Sequence, residues 1–295
     1  VLLSYEPSER HLTDLRRAAP GLELRTARTL EEARTAIRDA EAVLGNRFFR
    51  ESVDAARRLC WLQSGSHGVD LLLDVAPPLL TCAKGVYDDE IADHALALLL
   101  GLTRGIGSFD GWSPRSLRTL AGTRAVVLGW GGIGRTIARR LLAHGANVQG
   151  VRRHEGQGAW GVDRLDEALT GADILVAALP LTPATTRLIG AGRLARLALG
   201  AFVVNVGRGG TLDDEALFDA LEAGRLAGVG LDVLEIEPPP PESRAWSLPG
   251  VLLTPHVARS RESGPRRWEP LFVENLRRWT DGEPLLNLVD RGAGY

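Results

Sequence analysis

Cysteine is nearly absent: Cys60 and Cys82 are the only two in 295 residues. Both sit in apolar, strand-like stretches, so the reading is two buried free thiols, with no disulfide and no metal site. Lysine occurs once, as Lys84, and arginine carries nearly all the positive charge. That is a compositional bias. Long apolar runs are also missing. The longest, Ile91 to Leu102, is broken by Asp93 and His94 and is too short to span a bilayer. Neither charge sign is in excess: the net charge of −2 gives no electrostatic footprint for nucleic acid or an anionic membrane. No signal segment is visible ahead of the strand-like Val1–Tyr5, which leads to the expectation of a cytoplasmic protein. Low-complexity segments and short repeats are absent too.

What remains is a globular composition, 44% hydrophobic and 24% charged, in a chain long enough for two domains. The first part alternates strand and helix patterns. Strands are predicted at Val1–Tyr5, Leu22–Arg25, Ala42–Leu44, Trp61–Gln63 and Leu79–Cys82. Helices are predicted over Ser8–Ala19, capped by Ser8, and Leu30–Ala40. Such alternation means βαβ units and a parallel sheet. Asp88-Asp89-Glu90 then opens a helix that is apolar nearly all round to Thr103, as a buried helix should be. A second series follows, with six strands predicted at Ala125–Leu128, Asn147–Val151, Asp173–Leu179, Ala201–Val206, Gly228–Asp232 and Val251–Leu253. Six is the number in a full dinucleotide-binding sheet. Pro238–Pro241 reads as a stiff loop, and Arg261–Trp279 as a closing helix.

Gly129-Trp130-Gly131-Gly132-Ile133-Gly134 carries the spacing G-x-G-x-x-G. It follows an apolar strand and opens a helix predicted at Arg135–His144, the context a dinucleotide site requires. Gly129 allows the tight turn, Gly131 lets the backbone approach a pyrophosphate, and Gly134 lets helix and strand pack closely. The phosphates then meet free N–H groups at the helix end. Three later strand ends each carry charged or titratable residues: Asn205-Val206-Gly207-Arg208-Gly209, Asp232 to Glu237-Pro238, and Leu253-Thr254-Pro255-His256. Ligands of open α/β sheets sit outside such carboxyl ends, so Arg, Glu and His can converge there. His94, inside the apolar helix, reads as a packed, hydrogen-bonded histidine.

With these segments the chain resembles the D-isomer-specific 2-hydroxyacid dehydrogenases, of the glyoxylate/hydroxypyruvate reductase kind. The resemblance also takes in Gly65-Ser66-His67-Gly68-Val69-Asp70, Ala92-Asp93-His94-Ala95 and Leu179-Pro180-Leu181-Thr182. It implies an α/β fold of two Rossmann-like or flavodoxin-like domains with parallel sheets and an active site in the interdomain cleft. Residues 1–87 with 265–295 would form the substrate-binding domain and 88–264 the dinucleotide-binding domain. It implies reduction of a small 2-keto acid to the D-2-hydroxy acid. Arg208 would hold the substrate's carboxylate and keto oxygen, a fork suited to a planar guanidinium. His256 would be the acid–base residue and Glu237 the carboxylate that orients it; Glu235 stands nearby as a competitor. His67 and Gly68 would meet the substrate carboxylate. Cofactor contacts would come from the loop Gly129, Gly131, Gly132, Ile133 and Gly134, and from Leu179, Pro180, Thr186, Val206 and Asp232, the last on the nicotinamide carboxamide. Formate dehydrogenases resemble a pattern with glutamine at the place of Glu237, which favours a keto-acid substrate here.

The cofactor expectation is NADP, with NAD as the other possibility. NAD-specific folds place an acid about 20 residues beyond the glycine loop, on the ribose. Here the strand delivers Arg152 and Arg153, whose guanidinium groups suit a 2′-phosphate. Two features depart from the family: a shortened stretch between Arg104 and Gly129, where relatives build a dimer arm, and His67, where a smaller residue is usual. A homodimer is expected, with contacts from Trp112 in doubt. Asn46-Arg47 follows a strand and either lines a side-chain pocket or is solvated. The alternative function is a non-catalytic, cofactor-sensing interaction protein, as in corepressor relatives.

Overall fold

A computed structural model of the chain describes residues 1–106, 117–259 and 266–295. The chain divides into two compact units, Val1–Tyr87 with Gly264–Tyr295, and Asp88–Ser263.

The first unit is built on five parallel strands: β1 (Leu2–Leu3), β2 (Arg25–Thr26), β3 (Ala42–Leu44), β4 (Trp61–Gln63) and β5 (Leu79–Thr81), in the order β2-β1-β3-β4-β5. That order is the flavodoxin-like winding. Successive side chains point to opposite faces, and both faces are buried. Leu2, Val43, Leu62 and Leu80 pack with Ala33, Ile37 and Phe49. Leu3, Leu44 and Trp61 pack on the other side with Leu15, Phe272 and Leu276. Helix α1 (Glu9–Ala18) starts where Ser8 accepts a bond from His11 N. Helix α2 (Leu30–Ala36) starts at a Thr29–Glu32 capping box. A short α3 (Phe49–Ser52) and the C-terminal helix Glu269–Asp281 complete the layers.

Several expected boundaries shift. The second strand forms at Arg25–Thr26, not Leu22–Arg25, because pairing begins only where Arg25 meets Leu2, while Leu22 and Leu24 pack on the core. The helix expected to reach Ala40 tightens into a 3₁₀ turn over Ile37–Asp39. Cys82 is buried, and burial pushes its thiol pKa up, but Cys60 is exposed, against the expectation of two buried thiols. Cys60 directly precedes β4 rather than lying within it, which leaves its side chain at the surface. Both are free. The start of the expected closing helix at Arg261, and Trp112 with residues 107–116 of the shortened stretch, lie outside the described residues.

In the second unit, α4 (Asp88–Arg104) precedes seven parallel strands: β6 (Arg124–Leu128), β7 (Asn147–Arg152), β8 (Ala159–Gly161), β9 (Ile174–Ala177), β10 (Ala201–Asn205), β11 (Leu226–Leu231) and β12 (Val251–Leu253). Their order is β12-β11-β10-β9-β6-β7-β8. The sequence reading missed β8, three residues among glycines that pair with Gly150–Arg152 at the sheet edge. Helices α5 (Gly132–Ala143), α6 (Leu165–Leu169), α7 (Ala191–Leu194) and α8 (Asp214–Glu222) lie between strands. Gly228 and Gly230 let α4 lie close on β11: a Cβ there would stand 3.0 Å from Leu102 and 3.1 Å from Leu98. The chain runs outward from β6 through β7 and β8, then resumes on the other side of β6 at β9. That reversal is the topological switch point at which such sheets bind ligands. Among the described residues no helix is long and apolar enough to cross a membrane.

Candidate active site

The glycine loop leaves the carboxyl end of β6. Gly129 has φ +101°, and a Cβ there would stand 2.5 Å from the Ala178 carbonyl oxygen, so the turn tolerates only glycine. A Cβ on Gly134 would stand 1.7 Å from the Gly129 oxygen; this is where helix and strand touch. Gly131 N-caps α5 without a side-chain cap, and nothing lies within 4 Å of its Cβ position. Its open face leaves the helix N-terminus available to a phosphate. The helix begins at Gly132, inside the motif and ahead of the expected Arg135. Ile133 follows within its first turn, half-buried. A Cβ on Gly132 would stand 1.9 Å from Asp88 Oδ2, so a carboxylate faces the start of this helix.

Arg152 ends β7 half-buried, and Arg153 follows it, exposed. The turn after them is tied to the glycine loop by two residues that the sequence reading did not single out. Trp130 Nε1 donates to the Gln157 carbonyl at 2.9 Å, and Arg135 Nη1 donates to Gln157 Oε1 at 3.0 Å. The Trp130 ring lies over Gly150, whose Cβ would stand 2.1 Å from Cε3. A glycine inside a strand signals close approach by another group, and Gly150 was that signal.

The next strand ends lie side by side. Leu179 and Pro180 follow β9, and a Cβ on Gly207 would stand 2.6 Å from both N and O of Leu179. Thr186 is exposed, and its hydroxyl donates to the Thr182 carbonyl at 2.9 Å. Val206 is buried. Arg208 is half-buried; its Nη1 donates to the Gly207 carbonyl at 2.9 Å. Asn205 pins this loop, accepting from Gly207 N at 3.1 Å and donating to the Arg208 carbonyl at 3.0 Å.

Glu237 and His256 meet at 2.7 Å, Oε2 to Nδ1, with side chains 37% and 43% exposed. The other carboxylate oxygen, Oε1, accepts from Leu234 N at 3.1 Å. Glu235 instead binds Arg187, at 3.0 and 3.1 Å. His256 has φ +51°, a left-handed conformation uncommon for a residue with a side chain. Its N–H donates to the Asp232 carbonyl at 2.8 Å. Asp232 is itself buried, and burial opposes its charge. Bonds from His94, Thr254 and the N–H groups of Val257 and Ala258 outweigh that cost and hold its carboxyl below the usual range. Thr254 Oγ1 donates at 2.7 Å, Val257 N at 2.9 Å and Ala258 N at 3.0 Å. Asp232 therefore anchors both sides of the turn that carries His256. His94 is packed and bonded as expected, but to this turn: Nε2 lies 2.9 Å from Thr254 Oγ1 and 3.3 Å from Asp232 Oδ1.

In the first unit, His67 and Gly68 lie in the loop after β4, both half-buried, with His67 Nδ1 shielded from solvent. Arg47 is exposed and stacks over the Phe48 ring at 4.7 Å.

A family model of the D-isomer specific 2-hydroxyacid dehydrogenase NAD-binding domain matches residues 96–258. The chain belongs to this dehydrogenase family. It is 30% identical, over 98% of its length, to a D-3-phosphoglycerate dehydrogenase of Archaeoglobus fulgidus, and it spans 59% of that protein. It is similar, at 34% identity and a TM-score of 0.83, to a family member from Xanthobacter autotrophicus Py2 in complex with NADPH and MES. That likeness covers 100% of this chain and 99% of the other. An NADPH-dependent glyoxylate/hydroxypyruvate reductase from Sinorhizobium meliloti, in complex with NADP and sulfate, is 26% identical with a TM-score of 0.85, again over 100% and 99% of the chains.

Proposed function

We propose that this dehydrogenase reduces a small 2-keto acid to the D-2-hydroxy acid with NADPH. The observation that carries the reading is the 2.7 Å pair of His256 and Glu237 beside the loop of Arg208. With Nδ1 held by Glu237, Nε2 is the nitrogen that gives a proton to the keto oxygen, and in the reverse direction takes it back. Arg208 holds the substrate carboxylate and keto oxygen with its guanidinium. The reduced nicotinamide, when bound, supplies hydride to the carbonyl carbon. Gly129, Gly131, Gly132, Ile133 and Gly134 receive the pyrophosphate, with Leu179, Pro180, Thr186 and Val206 along the neighbouring strand ends. Arg152 and Arg153 receive the 2′-phosphate. Asp232 serves first as the anchor of the His256 turn, and any bond to the carboxamide comes from a carboxylate already bonded on both oxygens.

The test is turnover of glyoxylate, hydroxypyruvate and pyruvate with NADPH and with NADH. Wild type should prefer NADPH, and Arg152→Ala/Arg153→Ala should lose the preference while keeping NADH activity. His256→Ala should keep cofactor binding and lose on the order of 10²–10⁴-fold in kcat. Near-normal turnover in His256→Ala sinks the acid–base reading. Cofactor binding with no turnover of any keto acid would point to a sensing protein instead.

A further inference from the structure

Asp214 is a half-buried acid in the second unit that none of the roles above employs. It is the first residue of α8, but the helix start is already capped by Asp213, whose side chain accepts from Ala216 N at 3.1 Å. Asp214 turns to another partner: its Oδ2 accepts the Glu235 N–H at 2.8 Å. The same Leu234–Glu235 peptide is pressed by Gly209, the residue after Arg208. A Cβ on Gly209 would stand 1.9 Å from Leu234 C and O and 2.4 Å from Glu235 N. Leu234 N in turn donates to Glu237 Oε1 at 3.1 Å, and Glu237 Oε2 meets His256. A continuous chain of contacts thus runs from α8 through two successive peptides, Leu234–Glu235 and Val233–Leu234, joined at the Leu234 Cα, to the acid–base pair, and the first of them also abuts the arginine loop.

We propose that Asp214 is a positioning residue for the reaction, its carboxylate fixing the Leu234–Glu235 peptide and, through the Leu234 residue and its N–H, the reach of Glu237 to His256 beside Arg208. The proposal rests on reading His256 and Glu237 as the acid–base pair. The arrangement is held at a cost. Burial pushes the Asp214 carboxyl up to about 6, against the bond from Glu235 N, with Glu235, Asp213 and Glu215 adding like charge. Its Oδ1 is buried with no hydrogen-bond partner. Charged, it is the stronger acceptor for a backbone N–H.

The experiment measures kcat and KM for hydroxypyruvate and NADPH in wild type, Asp214→Ala, Asp214→Asn, Glu237→Gln and Asp214→Ala/Glu237→Gln. Asp214→Ala should lower kcat by roughly tenfold, a share of what general acid–base catalysis supplies, with KM for NADPH within about twofold of wild type. Asp214→Asn keeps an oxygen acceptor and should recover part of the loss. In the Glu237→Gln background the Asp214→Ala effect should shrink to about twofold or less, because the carboxylate it positions is gone. A loss that persists undiminished in that background marks general loosening and overturns the proposal, as does an unchanged kcat in Asp214→Ala. If Glu237→Gln alone keeps wild-type kcat, the acid–base reading fails and the proposal falls with it, which is a distinguishable result. Should Asp214→Ala not fold, the same cycle with Asp214→Asn decides: an undiminished loss in the Glu237→Gln background overturns the positioning role.

Discussion

Replacing Asp88 by Asn should tighten cofactor binding. Asp88 Oδ2 stands where a side chain on Gly132 would begin, at the first turn of α5. That helix end is where a pyrophosphate sits in this type of fold. Two unit charges about 5 Å apart repel by roughly 0.8 kcal/mol in water and about 3 kcal/mol at an effective dielectric constant near 20. Asp88 is half-buried and Gly131 open, so the lower part of that range applies, a gain of roughly 4- to 20-fold in Kd. Without cofactor the carboxylate complements the helix dipole, so the variant should also lose a few tenths of a kcal/mol of stability. NADPH fluorescence titration at low and high salt is the assay, and the gain should shrink as salt screens the repulsion. Asp89→Asn is the control: Asp89 pairs with Arg140 at 3.1 Å and Arg139 at 3.7 Å, away from the glycine loop, and should leave Kd unchanged. An Asp88→Asn variant that binds NADPH no better than wild type, or worse, refutes the reasoning.

Arg208→Lys should lose roughly 10- to 100-fold in kcat/KM with 2-keto acids, because ammonium cannot reproduce the bidentate fork, and far less with an aldehyde lacking the carboxylate; equal losses on both substrates contradict the role. Acid should weaken the first unit through His11. That side chain is 2% exposed and bonded to Tyr5 at 2.7 Å, and burial lowers its pKa to about 4, with Arg266 lowering it further and Asp14 opposing. The unfolded chain takes up a proton below pH 6.5 that the folded chain refuses until about 4, so up to roughly 3 kcal/mol of stability is lost across that window. Urea midpoints at pH 7 and pH 4.5 should therefore differ less in His11→Gln than in wild type, and an identical difference removes the claim.

The sequence showed the strand ends and the glycine loop because their determinants are local. A steric demand at Gly129 or Gly134 is met by the residue itself, and alternating apolar strands announce a sheet wherever they lie. The bounds of β2 differ from the expected Leu22–Arg25 because Leu22 and Leu24 are apolar for packing, not pairing, and only the position of β1 separates the two. The supports of the candidate site were less legible because each bond joins residues far apart in the chain. His94 reaches Thr254 across 160 residues, and Asp214 reaches Glu235 across 21. In the one-dimensional pattern Asp214 is an ordinary acid at a helix start, and Trp130 is the variable position of a nucleotide motif. For three close approaches near the site, though not for His94, glycine was the available signal: Gly150 under the Trp130 ring, Gly132 under Asp88, and Gly209 under the Leu234–Glu235 peptide. A glycine neither at a turn nor at positive φ marks a place where a second element comes within van der Waals reach. Three such places border the residues assigned here to cofactor and proton transfer. Gly209→Ala would force a Cβ to 1.9 Å from the Leu234 carbonyl carbon and oxygen, so the peptide must move and Glu237 with it. That movement should depress kcat with the same dependence on Glu237 as Asp214→Ala, linking the arginine loop and the acid–base pair through Leu234.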